Sequence, residues 1–240
     1  MCVCGTNSLT RALPPLRYLP MMLGYDVLFQ DADVVWHEDP LPYFKNSERS
    51  GNFDTYFSDD GARSLRYAPF SANSGFYYLR NNDKTVYLMT SLLYAGDSII
   101  RTHSHQQTFI SIIAEHNSLY GLTVKVLNTE EFPGGKQYHH DKAYMTRWMD
   151  KETVSPVMYH MCWTANKDDK LLYMAQMGEW FLEDKCGGTK IREGSVKVGD
   201  CCSKEPVVSC WFKDKPSVSE CKGEAGKGMT DRDKNGRPFW

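Results

Sequence analysis

Two aspartates separated by one residue follow a short apolar segment. Asp31 and Asp33 come after the apolar stretch 25–29, which predicts a strand buried on both faces, as in a parallel sheet. Ligands of open α/β sheets bind at the carboxyl ends of strands, and side chains at i and i+2 of an extended backbone share one side. The pair is therefore predicted to bind Mg²⁺ or Mn²⁺. The alternative is a turn, because Asp is common after strands.

Strands and helices are predicted to alternate through the rest of the chain, and this order predicts an α/β fold. The stretch 8–23 is expected to be helical but interrupted by its three prolines. Pro133, Gly134 and Gly135 predict a loop that continues into a surface loop at 138–140. The apolar and turn patterns predict strands at 53–58, 74–79, 122–127 and 156–161, and helices at 84–94, 104–116 and 167–183. The helix at 84–94 is expected to have Asn82 or Asp83 as its N-cap and to stop at Gly96.

Composition narrows the class of protein. The 240 residues carry a net charge of −2, which gives no electrostatic case for binding nucleic acid or an anionic membrane. We see no apolar run near the roughly 20 residues of a membrane-spanning helix, and no signal peptide.

Five of the eight cysteines crowd into the last quarter of the chain. They lack the spacing of a zinc site and predict a tail held by at least two disulfides, with the adjacent Cys201 and Cys202 bonded to different partners. The alternative is a set of buried thiols. The composition shift near Asp184 predicts a main domain at 8–184, a cysteine-rich tail at 185–222 and a disordered end at 223–240.

Four segments in order resemble one enzyme family. They are DADVVW from Asp31, SANSGFYYLRNN from Ser71, SHQQTFI from Ser104, and the segment from Tyr159 to Phe181. They are similar to the nucleotide-diphospho-sugar transferases, glycosyltransferases of GT-A fold that include plant cell-wall xylosyl- and arabinosyltransferases. The likeness covers about residues 8–220, and the cysteine-rich tail is similar to that of algal, diatom-type members.

The resemblance implies a Rossmann-like GT-A domain that transfers a sugar, possibly a pentose or galactose, from a UDP-sugar to a glycan or glycoprotein acceptor. It implies Mn²⁺ or Mg²⁺ as cofactor and a place in the Golgi or secretory lumen. A membrane contact would come only through an N-terminal anchor, and a retaining outcome is implied by the resemblance alone. The implied metal ligands are Asp31, Asp33 and His160, and the implied donor-binding residues are Asn73, Ser74, Gly75, Trp163 and Lys170.

Each of the transferred roles has a structural alternative. Asn73 could serve a turn before its strand. His160 could be a structural histidine at a strand end, and Trp163 could belong to a core. Lys170 lies in a charged run that is typical of a solvated helix face.

The chain departs from the family pattern at two places. Many relatives have Asp-Gln where this chain has His105 and Gln106, and a neutral imidazole cannot replace the carboxylate. The catalytic position therefore falls on His105 and Gln106, either with another acid or with altered activity. Only 30 residues precede Asp31, so the GT-A fold is expected to be incomplete at its N-terminus, with an exposed sheet edge beside the aspartates. A non-catalytic GT-A domain and a phosphatase of the haloacid-dehalogenase type are the alternative functions.

Overall fold

The computed structural model describes residues 13–149, 154–164, 167–183, 186 and 198–203. These residues form two compact units. One contains residues 13–134 together with Ser155–His160, and the other contains the remaining described residues. The predicted disordered end at 223–240, and Cys210 and Cys221, lie outside the described residues.

The larger unit mixes helices with strands, and this confirms the predicted α/β class. Its helices are α1 (Leu13–Met22), α2 (Pro40–Lys45), α3 (Ser47–Ser50), α4 (Asp83–Tyr94), α5 (Gly96–Thr102) and α6 (His105–Tyr120). Its strands are β1 (Val27–Gln30), β2 (Val34–Trp36), β3 (Thr55–Asp59), β4 (Ala72–Leu79), β5 (Val124–Val126) and β6 (Met158–His160). The other unit contains α7 (Gly135–His140), α8 (Lys142–Met149), α9 (Lys167–Gln176) and a 3₁₀ turn at Val198–Cys201.

Four strands form a mixed sheet in the order β1-β4-β3-β5. β4 pairs antiparallel with both β1 and β3, and only the β3–β5 pair is parallel. The prediction of a parallel strand buried on both faces before Asp31 was therefore wrong, because β1 pairs antiparallel and three of its four residues are half-buried. Within the part of the chain that the structure describes, β1 lies at one edge of the sheet.

The central strand β4 separates two aromatic cores. Tyr77 and Leu79 pack on one face with residues of α4 and α6, and Phe76 and Tyr78 pack on the other face with residues of α2. Successive side chains of a strand point to opposite faces, so the aromatic run is buried on both sides. The buried centre of β4 holds the polar start of the same strand in place, and that start belongs to the candidate site.

Local signals explain the helices that flank the sheet. α4 begins after the N-cap Asn82, one of the two expected N-cap residues, and Asn82 accepts hydrogen bonds from Lys84 and Thr85 in a capping box. α6 begins after the N-cap Ser104 and continues past the predicted end at residue 116 to Tyr120. α1 contains Pro20 and is continuous, so the predicted interruption was wrong. Gly96 begins α5 and does not form the αL stop that was expected after α4.

The other unit corrects the predicted loop at 133–140. Residues Gly135–His140 form α7, and Tyr138 and His139 are buried there, not on a surface loop. Gly135 is needed because a Cβ at that position would overlap the carbonyl of Cys162. Cys186 and Cys201 form a disulfide with Cα atoms 5.4 Å apart, which confirms one bridge in the cysteine-rich tail. Among the residues that the structure describes, no helix is both long enough and apolar enough to cross a membrane.

Candidate metal and donor site

The two aspartates lie in a turn between β1 and β2. Ala32 and Asp33 form the turn, and Trp36 closes it by donating its indole N–H to Gln30 at 2.5 Å. The backbone is therefore not extended through Asp31 and Asp33, and the alternative of a turn describes it correctly. The two carboxylates nevertheless approach one another, because the turn folds them towards a common point.

A two-stranded ribbon brings His160 to this turn. β2 pairs antiparallel with β6, and Val34 lies opposite His160 in the register. The His160 amide also donates to the Pro133 carbonyl at 3.1 Å, which fixes the end of β6. The imidazole is 3% exposed, and its Nε2 lies 3.5 Å from Asp33 Oδ1. The ribbon thus places beside the turn a histidine that is distant in sequence.

The three side chains form a candidate metal centre. One ligand atom from each of Asp31, Asp33 and His160 lies within 4.8 Å of the others. Asp31 is exposed, Asp33 is half-buried and His160 is buried, so a ligand can enter from the Asp31 side. Two carboxylates and one imidazole suit a divalent ion such as Mn²⁺ better than Mg²⁺, because nitrogen is a poor ligand for a hard ion.

Gly75 forms the wall of this centre. A Cβ at Gly75 would lie 2.5 Å from His160 Cε1, 2.6 Å from Asp31 Oδ2 and 2.9 Å from Asn73 Oδ1. The Gly75 carbonyl accepts the amide of Asp31 at 2.7 Å. The backbone of β4 can approach Asp31 and His160 because residue 75 has no side chain. The residues present therefore fit a metal ion.

The predicted donor-binding residues Asn73, Ser74 and Gly75 lie together at the start of β4. Asn73 Oδ1 accepts the Gly75 amide at 2.7 Å, so the Asn73 side chain is folded against its own strand. The Ser74 amide and hydroxyl both reach Gln106 Oε1, at 3.1 and 3.3 Å. The structure therefore brings these three residues, Gln106 and the three predicted metal ligands into one region.

The two residues predicted to be catalytic occupy the first turn of α6. Gln106 lies with its amide between Ser74 and Asp60, and its Nε2 donates to Asp60 Oδ1 at 2.9 Å. His105 is half-buried, and its ring lies 5.9 Å from that of Phe109. Both ends of the Gln106 amide are thus engaged by the protein.

Sequence reasoning missed Asp60 as a residue of this region. In the sequence, Asp59-Asp60-Gly61 is a near match to the second acidic motif of the phosphatase family, but it comes too early in the chain. Asp60 is 7% exposed and follows β3 directly, next to the strand that carries Asn73. Its position at the end of a predicted strand was the available signal, and the same rule had singled out Asp31.

The other two predicted donor-binding residues belong to the second unit. Trp163 has a positive φ of 63°, and its ring packs edge-on against His140 at 5.2 Å. Lys170 is half-buried on α9. Their roles in binding a donor stay predictions.

Comparison with known proteins identifies relatives of the chain. The family model described as nucleotide-diphospho-sugar transferase matches residues 21–174. The chain is 24% identical over 197 residues to UDP-D-xylose:L-fucose alpha-1,3-D-xylosyltransferase 3 of Arabidopsis thaliana, covering 75% of this chain and 49% of the relative. It is 25% identical over 185 residues to beta-arabinofuranosyltransferase RAY1 of the same plant, covering 67% and 31%. The chain thus spans half or less of the length of these relatives.

Solved structures give a weaker likeness. The galactosyltransferase LgtC, solved in complex with donor and acceptor sugar analogs, is 18% identical to this chain. The alignment covers 81% of this chain and 71% of the other, with a TM-score of 0.38. A likeness at this level supports no inference about the site.

Proposed function

The chain belongs to the nucleotide-diphospho-sugar transferase family, and we propose that it transfers a sugar from a nucleoside diphosphate donor with the help of a divalent ion. The observation that carries the metal dependence is the meeting of Asp31, Asp33 and His160 within 4.8 Å. Family membership excludes the phosphatase alternative, since the matched residues 21–174 include both aspartates.

The side chains at the site have different proposed roles. Asp31 and Asp33 would supply oxygen ligands and His160 a nitrogen ligand, and the missing side chain at Gly75 would leave room for the ion. When bound, the ion would act as a Lewis acid that stabilises the negative charge on the leaving diphosphate. Asn73 and Ser74 are neutral polar groups beside the centre that are held by hydrogen bonds within the protein. The second N–H of the Asn73 amide and the lone pairs of the Ser74 hydroxyl suit bonds to sugar hydroxyls.

The relatives and the disulfide support a proposal for the substrate and the compartment. Xylosyl-, arabinofuranosyl- and galactosyltransferases are among the relatives, so we propose a UDP-pentose or UDP-galactose as donor and a glycan or glycoprotein as acceptor. The Cys186–Cys201 disulfide supports the Golgi or secretory lumen, because disulfides persist in oxidising compartments.

The test is calorimetric titration of Mn²⁺ and then UDP into the full chain. Asp33→Ala is expected to weaken Mn²⁺-dependent UDP binding at least ~100-fold, since it removes a direct ligand and outer partners alone account for 10–100-fold. Glu38→Ala is the matched control, because Glu38 is an exposed acid nearby in sequence. Unchanged Mn²⁺ affinity in a folded Asp33→Ala variant would contradict the proposal.

An activity assay separates the enzyme from the non-catalytic alternative. Hydrolysis of at least one of UDP-xylose, UDP-arabinose and UDP-galactose in Mn²⁺ is the expected result for a transferase supplied with water as acceptor. Tight binding of Mn²⁺ and UDP without hydrolysis or transfer would favour a non-catalytic domain, for which His105 in place of an acidic residue already offers a reason.

A further inference from the structure

Asp60 is the meeting point of hydrogen bonds from two other elements. Its Oδ1 accepts Asn73 Nδ2 from β4 and Gln106 Nε2 from α6, both at 2.9 Å. The residue is 7% exposed, and its own amide donates to the Ser71 carbonyl at 2.8 Å. A buried carboxylate that accepts two amide N–H groups determines which way both amides face.

One of these bonds continues to the metal centre. Because the Asn73 amide nitrogen faces Asp60, its oxygen faces the other way and accepts the Gly75 N–H at 2.7 Å. The Gly75 carbonyl then accepts the Asp31 N–H at 2.7 Å. A path therefore runs from Asp60 through the Asn73 amide to the Gly75 N–H, across the Cα of Gly75, and from the Gly75 carbonyl to the Asp31 N–H.

The second bond holds the neighbouring residue. With its nitrogen on Asp60, Gln106 presents its oxygen to the amide and hydroxyl of Ser74. Asn73, Ser74 and Gly75 are thus all held, directly or through one partner, by a single carboxylate. Loss of that carboxylate would free two amides to rotate and would loosen the start of β4.

We propose that Asp60 is a positioning residue for the metal centre, acting through Asn73 and Gly75 on Asp31. The proposal rests on the proposed metal-dependent function. The backbone at Gly75 is closely packed against the proposed ligands, because a Cβ at Gly75 would come within 2.6 Å of both Asp31 and His160. Movement of the backbone at Gly75 would therefore displace Asp31 and His160.

The experiment compares Asp60→Ala with Asp54→Asn in the full chain. Asp54 comes just before β3 and Asp60 just after it, and both carboxylates are hydrogen-bonded, but Asp54 bonds to Thr123 and Asn82 on the far side from the metal centre. Mn²⁺ affinity is measured by calorimetry and by the electron paramagnetic resonance of bound Mn²⁺. Asp60→Ala is expected to weaken Mn²⁺ binding ~10-fold, the lower end for an outer partner, and Asp54→Asn less than ~2-fold.

A double variant tests the path. Since Asp60 acts through Asn73, the variant with both Asp60→Ala and Asn73→Ala should bind Mn²⁺ no more weakly than Asn73→Ala alone. If Asp60→Ala does not fold, the isosteric Asp60→Asn replaces it, with an expected loss of ~3-fold because a neutral oxygen accepts more weakly. Additive losses in the double variant would overturn the path.

The outcomes separate this proposal from the one on which it rests. If Asp33→Ala binds Mn²⁺ like the unmodified chain, both proposals fall. If Asp33→Ala loses binding while a folded Asp60 variant keeps it within experimental error, the positioning role alone is overturned. Equal losses from Asp54→Asn and Asp60→Ala would also overturn it, because they would show a general effect of stability.

Discussion

The close approach of β4 to the metal centre predicts the effect of one added methyl group. In Gly75→Ala, the new Cβ would start 2.5 Å from His160 Cε1 and 2.6 Å from Asp31 Oδ2. Non-bonded heavy atoms are most stable about 3.5–4.0 Å apart, so each partner must retreat by about 1 Å. Gly75 has no positive φ, so alanine suits its backbone and the chain should still fold.

The magnitude follows from the cost of overpacking. Adding a methyl group to a well-packed site costs about 1–3 kcal/mol. Two of the three crowded atoms belong to proposed metal ligands, so the strain is relieved by moving them away from the position they take around an ion. If the whole cost falls on ion binding, Mn²⁺ affinity drops about 5–150-fold.

Calorimetric titration of Mn²⁺ into the full chain measures this drop, and thermal unfolding reports on the fold. Gly96→Ala is the matched control, because Gly96 is exposed and a Cβ there meets no atom within 4 Å. A folded Gly75→Ala variant that binds Mn²⁺ as tightly as Gly96→Ala would refute the reasoning, since the ligands would then not need the room that glycine leaves.

Two further predictions concern the stability that Asp54 contributes and the Cys186–Cys201 disulfide. Burial alone would raise the pKa of Asp54, but hydrogen bonds from Thr123 and the charge of Lys84 outweigh burial and lower that pKa. The stability that Asp54 contributes is therefore present above about pH 4, and it is lost as the pH falls through the lowered pKa of the folded state. Asp54→Asn should cost about 1–2 kcal/mol in urea unfolding at pH 7 and less at pH 3, and an equal cost at both pH values would contradict this. Peptides containing Cys186 and Cys201 should remain linked in non-reducing mass spectrometry, and Cys202 should be alkylated without reductant; alkylation of all three would contradict the bridge.

Local patterns predicted the elements that depend on local contacts. The capping residue Asn82 marked the start of α4, and the aromatic run at 74–79 marked the buried part of β4, because these signals act within a few residues. α7 was missed because Gly134 and Gly135 resemble turn residues, whereas Gly135 is needed for its approach to Cys162.

Strand pairing could not be predicted in the same way. The partner of β1 is β4, about fifty residues later in the sequence, and an apolar strand gives no sign of its direction relative to such a partner. The region of the site was found because Asp31 and Asp33 form a short local motif and His160 was supplied by the family resemblance. Asp60 was not recognised, because its role comes from contacts with Asn73 and Gln106 that only the fold creates.

The β2–β6 ribbon would make the proposed ion binding and chain folding interdependent. Asp33 and His160 are distant in sequence, and only the pairing of Val34 with His160 brings them together. An ion bound to both would act as a reversible cross-link that the unfolded chain cannot form with equal strength. At a free ion concentration of 100 Kd, such linkage adds about 2.7 kcal/mol to the stability of the folded state. If the proposed ion binds, the melting temperature of this protein would depend on the free ion concentration of the buffer, and a chelator would lower it.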